Sequence, residues 1–182
     1  MPGKSSKEIF EATLSAANNL SFLLDEYGYF TDEATEKITS KFGILSLSSD
    51  PVSTLLWEHY GAGLSGLCIG FDTSIYPMLH AKELIYADTV PIAALGNGAS
   101  LDNILFFHKS LKSIWEREWR IVKCNPGPFE AGQGIVREVI FGSKCAPEDI
   151  EEVKSIIPKN DGCRFCRIVR DRFSYALKAQ EI

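Results

Sequence analysis

The sequence predicts an α+β fold, a mixed or mainly antiparallel sheet packed by helices. Strand-like runs lie beside helical runs without strict β-α-β alternation. A chain of 182 residues suits one core, because domains cluster near 100 to 150 residues. Hydrophobic residues at 45% and charged residues at 24% match globular averages. The expectation is a single domain over 1–182, with a helical N-terminal part at 5–42 and a sheet-rich part at 43–182.

Taken in order, Ser5 to Tyr27 is the first helix. Ser5 and Glu8 have capping-box spacing, Ile9, Ala16, Leu20, Leu23 and Tyr27 recur with helical periodicity, and Gly28 is the stop. A shorter helix is expected from Asp32 to Lys41, ended by Gly43, and Gly43 to Ser48 (GILSLS) alternates as a strand. Asp50 before Pro51 signals another helix, with Asp as the cap, Pro at the first helical position and Gly61 ending it after Tyr60. Leu64 to Phe71 reads as a buried strand marked by Gly66 and Gly70, residues typical of bulges or close backbone approach. Glu83 to Ala87 is a further strand, and Gly96-Asn97-Gly98 a loop or tight turn.

Ser100 to Ile114 has helical spacing through Ile104, Leu105, His108 and Leu111, and leads into a strand at Trp119 to Cys124. Asn125 to Gly134 is a surface loop rich in Gly and Pro, and Ile135 to Phe141 alternates strongly. Pro147 opens a helix to Ile157, with Glu148 and Asp149 at its positive end. Strands at Cys163 to Val169 and Phe173 to Leu177 close the chain.

Composition narrows the function classes. No apolar run approaches the roughly 18 to 20 residues that span a bilayer, and the first residues lack the apolar stretch of a secretory signal. A cytoplasmic protein without a membrane partner is expected. The five cysteines are an odd number, which favours reduced thiols over a disulfide framework. A net charge of -5 argues against nonspecific nucleic-acid binding. That charge is uneven. Residues 1–100 carry five lysines and no arginine against twelve acids, whereas all seven arginines follow Glu116. An anionic ligand would therefore find its fork-shaped donors in the C-terminal half.

The densest block is Trp57 to Asp72 (WEHYGAGLSGLCIGFD). On a helix Trp57 and Tyr60 share a face as core anchors, or else line a concave wall where glycines let backbone approach a ligand and His59 acts as acid, base or donor. In Lys109 to Arg120 (KSLKSIWEREWR), strand alternation places Glu116, Glu118 and Arg120 on one face. That reads either as a surface ion pair flanking two tryptophans or as a catalytic or ligand-binding carboxylate at Glu118. Cys163 and Cys166 have the C-x-x-C spacing of zinc or redox sites, but no second pair follows, and within a strand they face opposite sides, so no metal is expected. Arg164, Arg167, Arg170 and Arg172, interleaved with Phe165, Phe173 and Tyr175, have the pattern of a single-strand nucleic-acid groove, although the acidic total makes solvated arginines the simpler account.

The ordered succession GILSLS at Gly43, Leu56-Trp57-Glu58-His59-Tyr60, Gly66-Leu67-Cys68-Ile69-Gly70-Phe71, Lys112 to Trp115, Glu118-Trp119-Arg120-Ile121 and Glu138 to Gly142 resembles a bacterial family known as a domain of unknown function. It covers roughly residues 43–142. The family pattern also has an upstream strand and loop with an Asn-Asp-Pro motif, which is not found before residue 43, so a shortened or divergent member is expected. The resemblance implies no substrate or cofactor.

Two function classes follow. One is a module that binds a small molecule or protein, with Trp57, His59 and Arg120 as ligand-binding residues and a homodimer left open by the aromatic content. The other is a transferase resembling ADP-ribosyltransferases, in which Ser46 or Tyr60 contacts a nicotinamide dinucleotide and Glu118 orients a ribose hydroxyl. That enzyme needs Ser46, Tyr60 and Glu118 together on an open pocket.

Overall fold

The computed structural model describes residues 31–91, 101–158 and 162–182. The helix read over Ser5 to Tyr27 and the turn at Gly96 to Gly98 lie outside these residues. Within them the α+β class holds, with antiparallel and mixed sheets packed by helices. The chain divides into two compact units, each drawn from two stretches of sequence: the residues through Ser48 with His80–Glu130, and Ser49–Leu79 with Ala131–Ile182.

The first unit begins with helix α1 (Asp32–Thr39), whose cap is Thr31: its hydroxyl accepts the Ala34 N–H at 3.2 Å. Asp32 and Glu33 lie at the positive end and Lys37 in the last turn, and the helix buries Ala34 and Ile38. Strand β1 (Phe42–Ser48) pairs antiparallel with β6 (Glu118–Cys124), from Phe42 opposite Cys124 to Ser48 opposite Glu118. On the far side of β6 lies the two-residue β3 (Lys82–Glu83), so β6 is the central strand.

The expected strand Glu83 to Ala87 is split at the buried Leu84 into β3 and β4 (Ile85–Ala87). The expected helix over Ser100 to Ile114 is also divided. It becomes α3 (Leu101–Phe106), β5 (His108–Ser110) and a 3-10 turn at Leu111–Glu116, because β5 pairs in parallel with β4. Tertiary pairing overrides the helical spacing there. Ile38, Phe42, Leu84, Phe106 and Phe107 form the core of this unit, with the Phe42 and Phe106 rings 4.9 Å apart.

The second unit is a four-stranded sheet in the order β2 (Leu67–Phe71), β7 (Val136–Phe141), β8 (Arg164–Arg170), β9 (Leu177–Glu181). Its two outer pairs are antiparallel. The middle pair is parallel, and α4 (Pro147–Ile156) makes the crossover such a pair requires. Alternation sorts the strand residues into two cores. Val139 and Phe141 pack with Cys145 and Ile150, whereas Ile140, Cys166, Ile168 and Leu177 pack with Trp57 and Leu64.

Helix α2 spans Thr54–His59, three residues later than the Asp-Pro signal implies. The Asp50 carboxylate accepts the Val52 N–H at 3.1 Å and forms a local turn instead, leaving the cap to Ser53, whose hydroxyl faces the Leu56 N–H at 3.4 Å. Beyond Gly61 the chain makes a left-handed turn: Ala62, Gly63 and Leu64 have φ of 49°, 60° and 74°. Two of the three are not glycine, and the turn is pinned by the buried Leu64 side chain and by its carbonyl, which accepts the Lys144 N–H at 2.9 Å. The expected start of β2 at Leu64 thus moves to Leu67. Gly66 donates to the Gly61 carbonyl at 2.9 Å, and the β2 register shifts between Gly70 and Phe71, so both glycines serve the close approach and bulge anticipated.

The last strand also differs from expectation. It lies at Leu177–Glu181, and Phe173 and Tyr175 belong to the connection before it.

Candidate functional site

Glu118 is the buried charged side chain of the described residues, only 3% exposed. The 3-10 turn before it ends at Arg117, whose left-handed backbone (φ 44°, ψ 49°) redirects the chain into β6. On β6, Glu118 and Arg120 fall on one face, as alternation requires. Opposite them on β1 are Ser48 and Ser46 respectively.

The carboxylate is surrounded by donors. Arg120 forks onto it, Nε to Oε1 at 2.7 Å and Nη2 to Oε2 at 3.3 Å. Lys109 Nζ reaches Oε2 at 2.9 Å, and the Ser46 side chain adds another hydrogen bond. Four donors match the roughly four lone-pair sites that a carboxylate offers. Burial on its own would raise the Glu118 carboxyl, but the hydrogen bonds from Arg120, Lys109 and Ser46 outweigh it and hold the group down at about 2.

The donors are themselves held. Arg120 Nη1 donates to the Phe106 carbonyl at 2.7 Å. Lys109 also meets Glu116 Oε2 at 2.5 Å. Burial works against the Lys109 ammonium, yet its hydrogen bonds to Glu116 and Glu118 win and raise its pKa. The Tyr86 hydroxyl accepts the Glu118 backbone N–H at 2.8 Å. Two cations thus face two anions, and the network balances in charge.

Of the residues singled out from sequence, Ser46, Glu118 and Arg120 come together here. Trp57, His59 and Tyr60 belong to the other unit, where β2 of their block pairs with β7 and not with the Glu118–Ile121 strand. Trp57 is a core anchor, 4% exposed, with its indole N–H donated to the Pro51 carbonyl at 2.8 Å. His59 and Tyr60 are exposed, Tyr60 at 72%, with ring centroids 6.5 Å apart. The Glu118–Arg120 pair is not the surface ion pair considered above but a buried one. Lys109 and Tyr86 were missed as its partners, since they arrive from β5 and β4 by non-local pairing that no spacing reveals.

The remaining motifs resolve locally. Cys163 and Cys166 join different cores, so their C-x-x-C spacing does not converge. Among the described residues no group of three or more His, Cys, Asp or Glu is placed to hold a metal ion. Burial, then the neighbouring Glu138, raises the Cys68 and Cys166 thiols. Neither is an activated nucleophile.

The basic run divides. Arg167 donates to the Ser143 and Cys145 carbonyls at 3.0 and 3.2 Å, and Arg164 pairs with Glu138 at 3.0 Å. Phe165 packs in the core near Phe141, ring centroids 6.3 Å apart. A nucleic-acid groove along β8 is therefore not built, and only Arg170 and Arg172 remain beside exposed aromatic rings. No protein family matches this chain, and no curated protein or solved structure does so either.

Proposed function

We propose that the protein is a binding module, for a small molecule or a protein, and that Glu118 organises its first unit without performing chemistry. The observation that carries this reading is the saturated carboxylate. With Arg120, Lys109 and Ser46 already donating to it and its pKa at about 2, Glu118 has little capacity to accept a proton or orient a substrate hydroxyl. Exposed aromatic side chains of the second unit, Tyr60 after α2 and Phe173 and Tyr175 before β9, support recognition, since such side chains are enriched where proteins bind. The five free cysteines support a cytoplasmic setting.

One observation favours a second reading. Ser46 is exposed and in hydrogen-bond contact with Glu118, as a transferase resembling ADP-ribosyltransferases would need for a nicotinamide dinucleotide. Thermal-shift measurements separate the two. A ligand at 100 times its Kd stabilises the folded state by about 2.7 kcal/mol. The binding-module reading expects no shift with nicotinamide dinucleotides. A dinucleotide shift that disappears in Ser46→Ala would overturn it in favour of the transferase.

A further inference from the structure

The six residues joining β8 to β9 present the most exposed apolar groups of the described chain: Phe173 at 93% and Tyr175 at 96%. The connection is nonetheless ordered by its own bonds. The Asp171 N–H donates to the Ala176 carbonyl at 2.9 Å, and the Asp171 carboxylate accepts the Phe173 N–H at 2.8 Å. The Ser174 hydroxyl accepts the Ala176 N–H at 3.3 Å. Lys178 forms an ion pair with Asp171 and neutralises the acid of the tip. What is left is a local positive charge on Arg170 and Arg172. Both are exposed, and among the described residues no hydrogen bond or ion pair occupies either guanidinium.

We propose that this hairpin tip docks on an anionic lipid surface, with Phe173 and Tyr175 entering the boundary between headgroups and acyl chains and Arg170 and Arg172 pairing with lipid phosphates. Three properties of the tip select this partner. Rings that are 93% and 96% exposed have no wall behind them, so they are not the supported platforms on which bases stack. A fluid interface can surround such a ring on every side without a preformed pocket. Tyrosine suits that depth because its body is apolar and its hydroxyl stays wet. The two guanidiniums stand just before the rings in sequence, in Arg170-Asp171-Arg172-Phe173-Ser174-Tyr175, and match phosphate geometry.

The net charge of -5 does not forbid the contact, since charges beyond a Debye length of about 8 Å are largely screened at physiological salt. Among the described residues no helix is long and apolar enough to cross a membrane, so the contact is with one leaflet. The expectation of no membrane partner rested on spanning runs, and a tip of two aromatic residues is too short to register in such a window. This inference goes beyond the binding-module reading and is independent of Glu118, so either can fail alone.

The test is co-sedimentation of the full chain with phosphatidylcholine vesicles, with and without about one-third phosphatidylserine. Pelleting should require phosphatidylserine and weaken with added salt. It should fall about tenfold or more in the double variant Phe173→Ser with Tyr175→Ser, and likewise in Arg170→Gln with Arg172→Gln, while melting temperatures stay within about 2 °C of wild type. In a Phe173→Trp variant, added tryptophan emission should shift to the blue and be quenched by lipids brominated on their acyl chains. Absence of pelleting with phosphatidylserine overturns the proposal, as does pelleting unchanged in both double variants. Tip-dependent binding of an oligothymidylate without lipid pelleting also overturns it, and assigns the tip to single-stranded nucleic acid.

Discussion

The two units treat the same chemistry in opposite ways. In the first, Arg120 and Lys109 converge on Glu118 and Glu116 under cover, and the Tyr86 hydroxyl faces inward to accept a backbone N–H. In the second, Arg170, Arg172, Phe173 and Tyr175 face outward at a hairpin tip. Burial decides the difference. A charge enclosed by protein must be matched at once by partners. One left in water needs none and stays available to an arriving ligand. The carboxylate that looks most catalytic in the sequence is thereby occupied by donors, and the arginines that look merely solvated are left exposed.

The comparison breaks first at Glu118. Glu118→Ala leaves Arg120 without its counter-charge while Lys109 keeps Glu116, and urea denaturation should show a loss of about 3 kcal/mol. A loss under about 1 kcal/mol would place the network at the surface instead.

Acid probes the same group without mutation. Its folded pKa of about 2 lies below the ordinary 4.5, so its contribution is fully present above 4.5 and disappears as pH falls toward 2. In Glu118→Gln that share of the acid sensitivity should vanish from a pH series of unfolding midpoints. An acid profile identical to wild type would show that other carboxylates carry it.

The arginines of β8 and of the connection after it sharpen the contrast within one segment. Arg167→Ala strips the donor from the Ser143 and Cys145 carbonyls and should lower stability by about 1–3 kcal/mol. Arg170→Ala and Arg172→Ala, by the same measurement, should each stay within about 0.5 kcal/mol, because nothing folded depends on them. Equal losses at all three positions would erase the division between structural and available arginines.

Local rules made much of this fold legible. The Phe42–Ser48, Val136–Phe141 and Pro147–Ile156 elements lie within a residue or so of where alternation, Pro and acid placement put them. Glu118 and Arg120 were read onto one face because strand alternation is a local property. Their other partners were illegible, since Lys109 comes from β5, a strand that exists only through its pairing with β4. The sequence of β5 continues a helical spacing from α3, and only the completed parallel pair overrules it. Phe173, Tyr175 and Leu177 illustrate the opposite error. Their alternation promises three inward side chains, yet only Leu177 is buried, because Asp171 and Ser174 hold the backbone in turns. Whether an alternating residue meets a core depends on how far the neighbouring strand extends, which is not written locally.

The left-handed turn at Ala62–Leu64 has a consequence for how the second unit tolerates substitution. Ala62 and Leu64 hold a conformation that disfavours side chains by about 1–2 kcal/mol per residue, and the Leu64 side chain is what keeps the turn docked in the core. Replacing Leu64 with glycine therefore has two effects of opposite sign: a cavity opens, and the clash that a Cβ makes in this handedness is removed. Leu64→Gly should cost no more than Leu64→Ala, which opens nearly the same cavity and keeps the Cβ. Such a position acts as a counterweight, and a deep residue there is more replaceable than its burial implies.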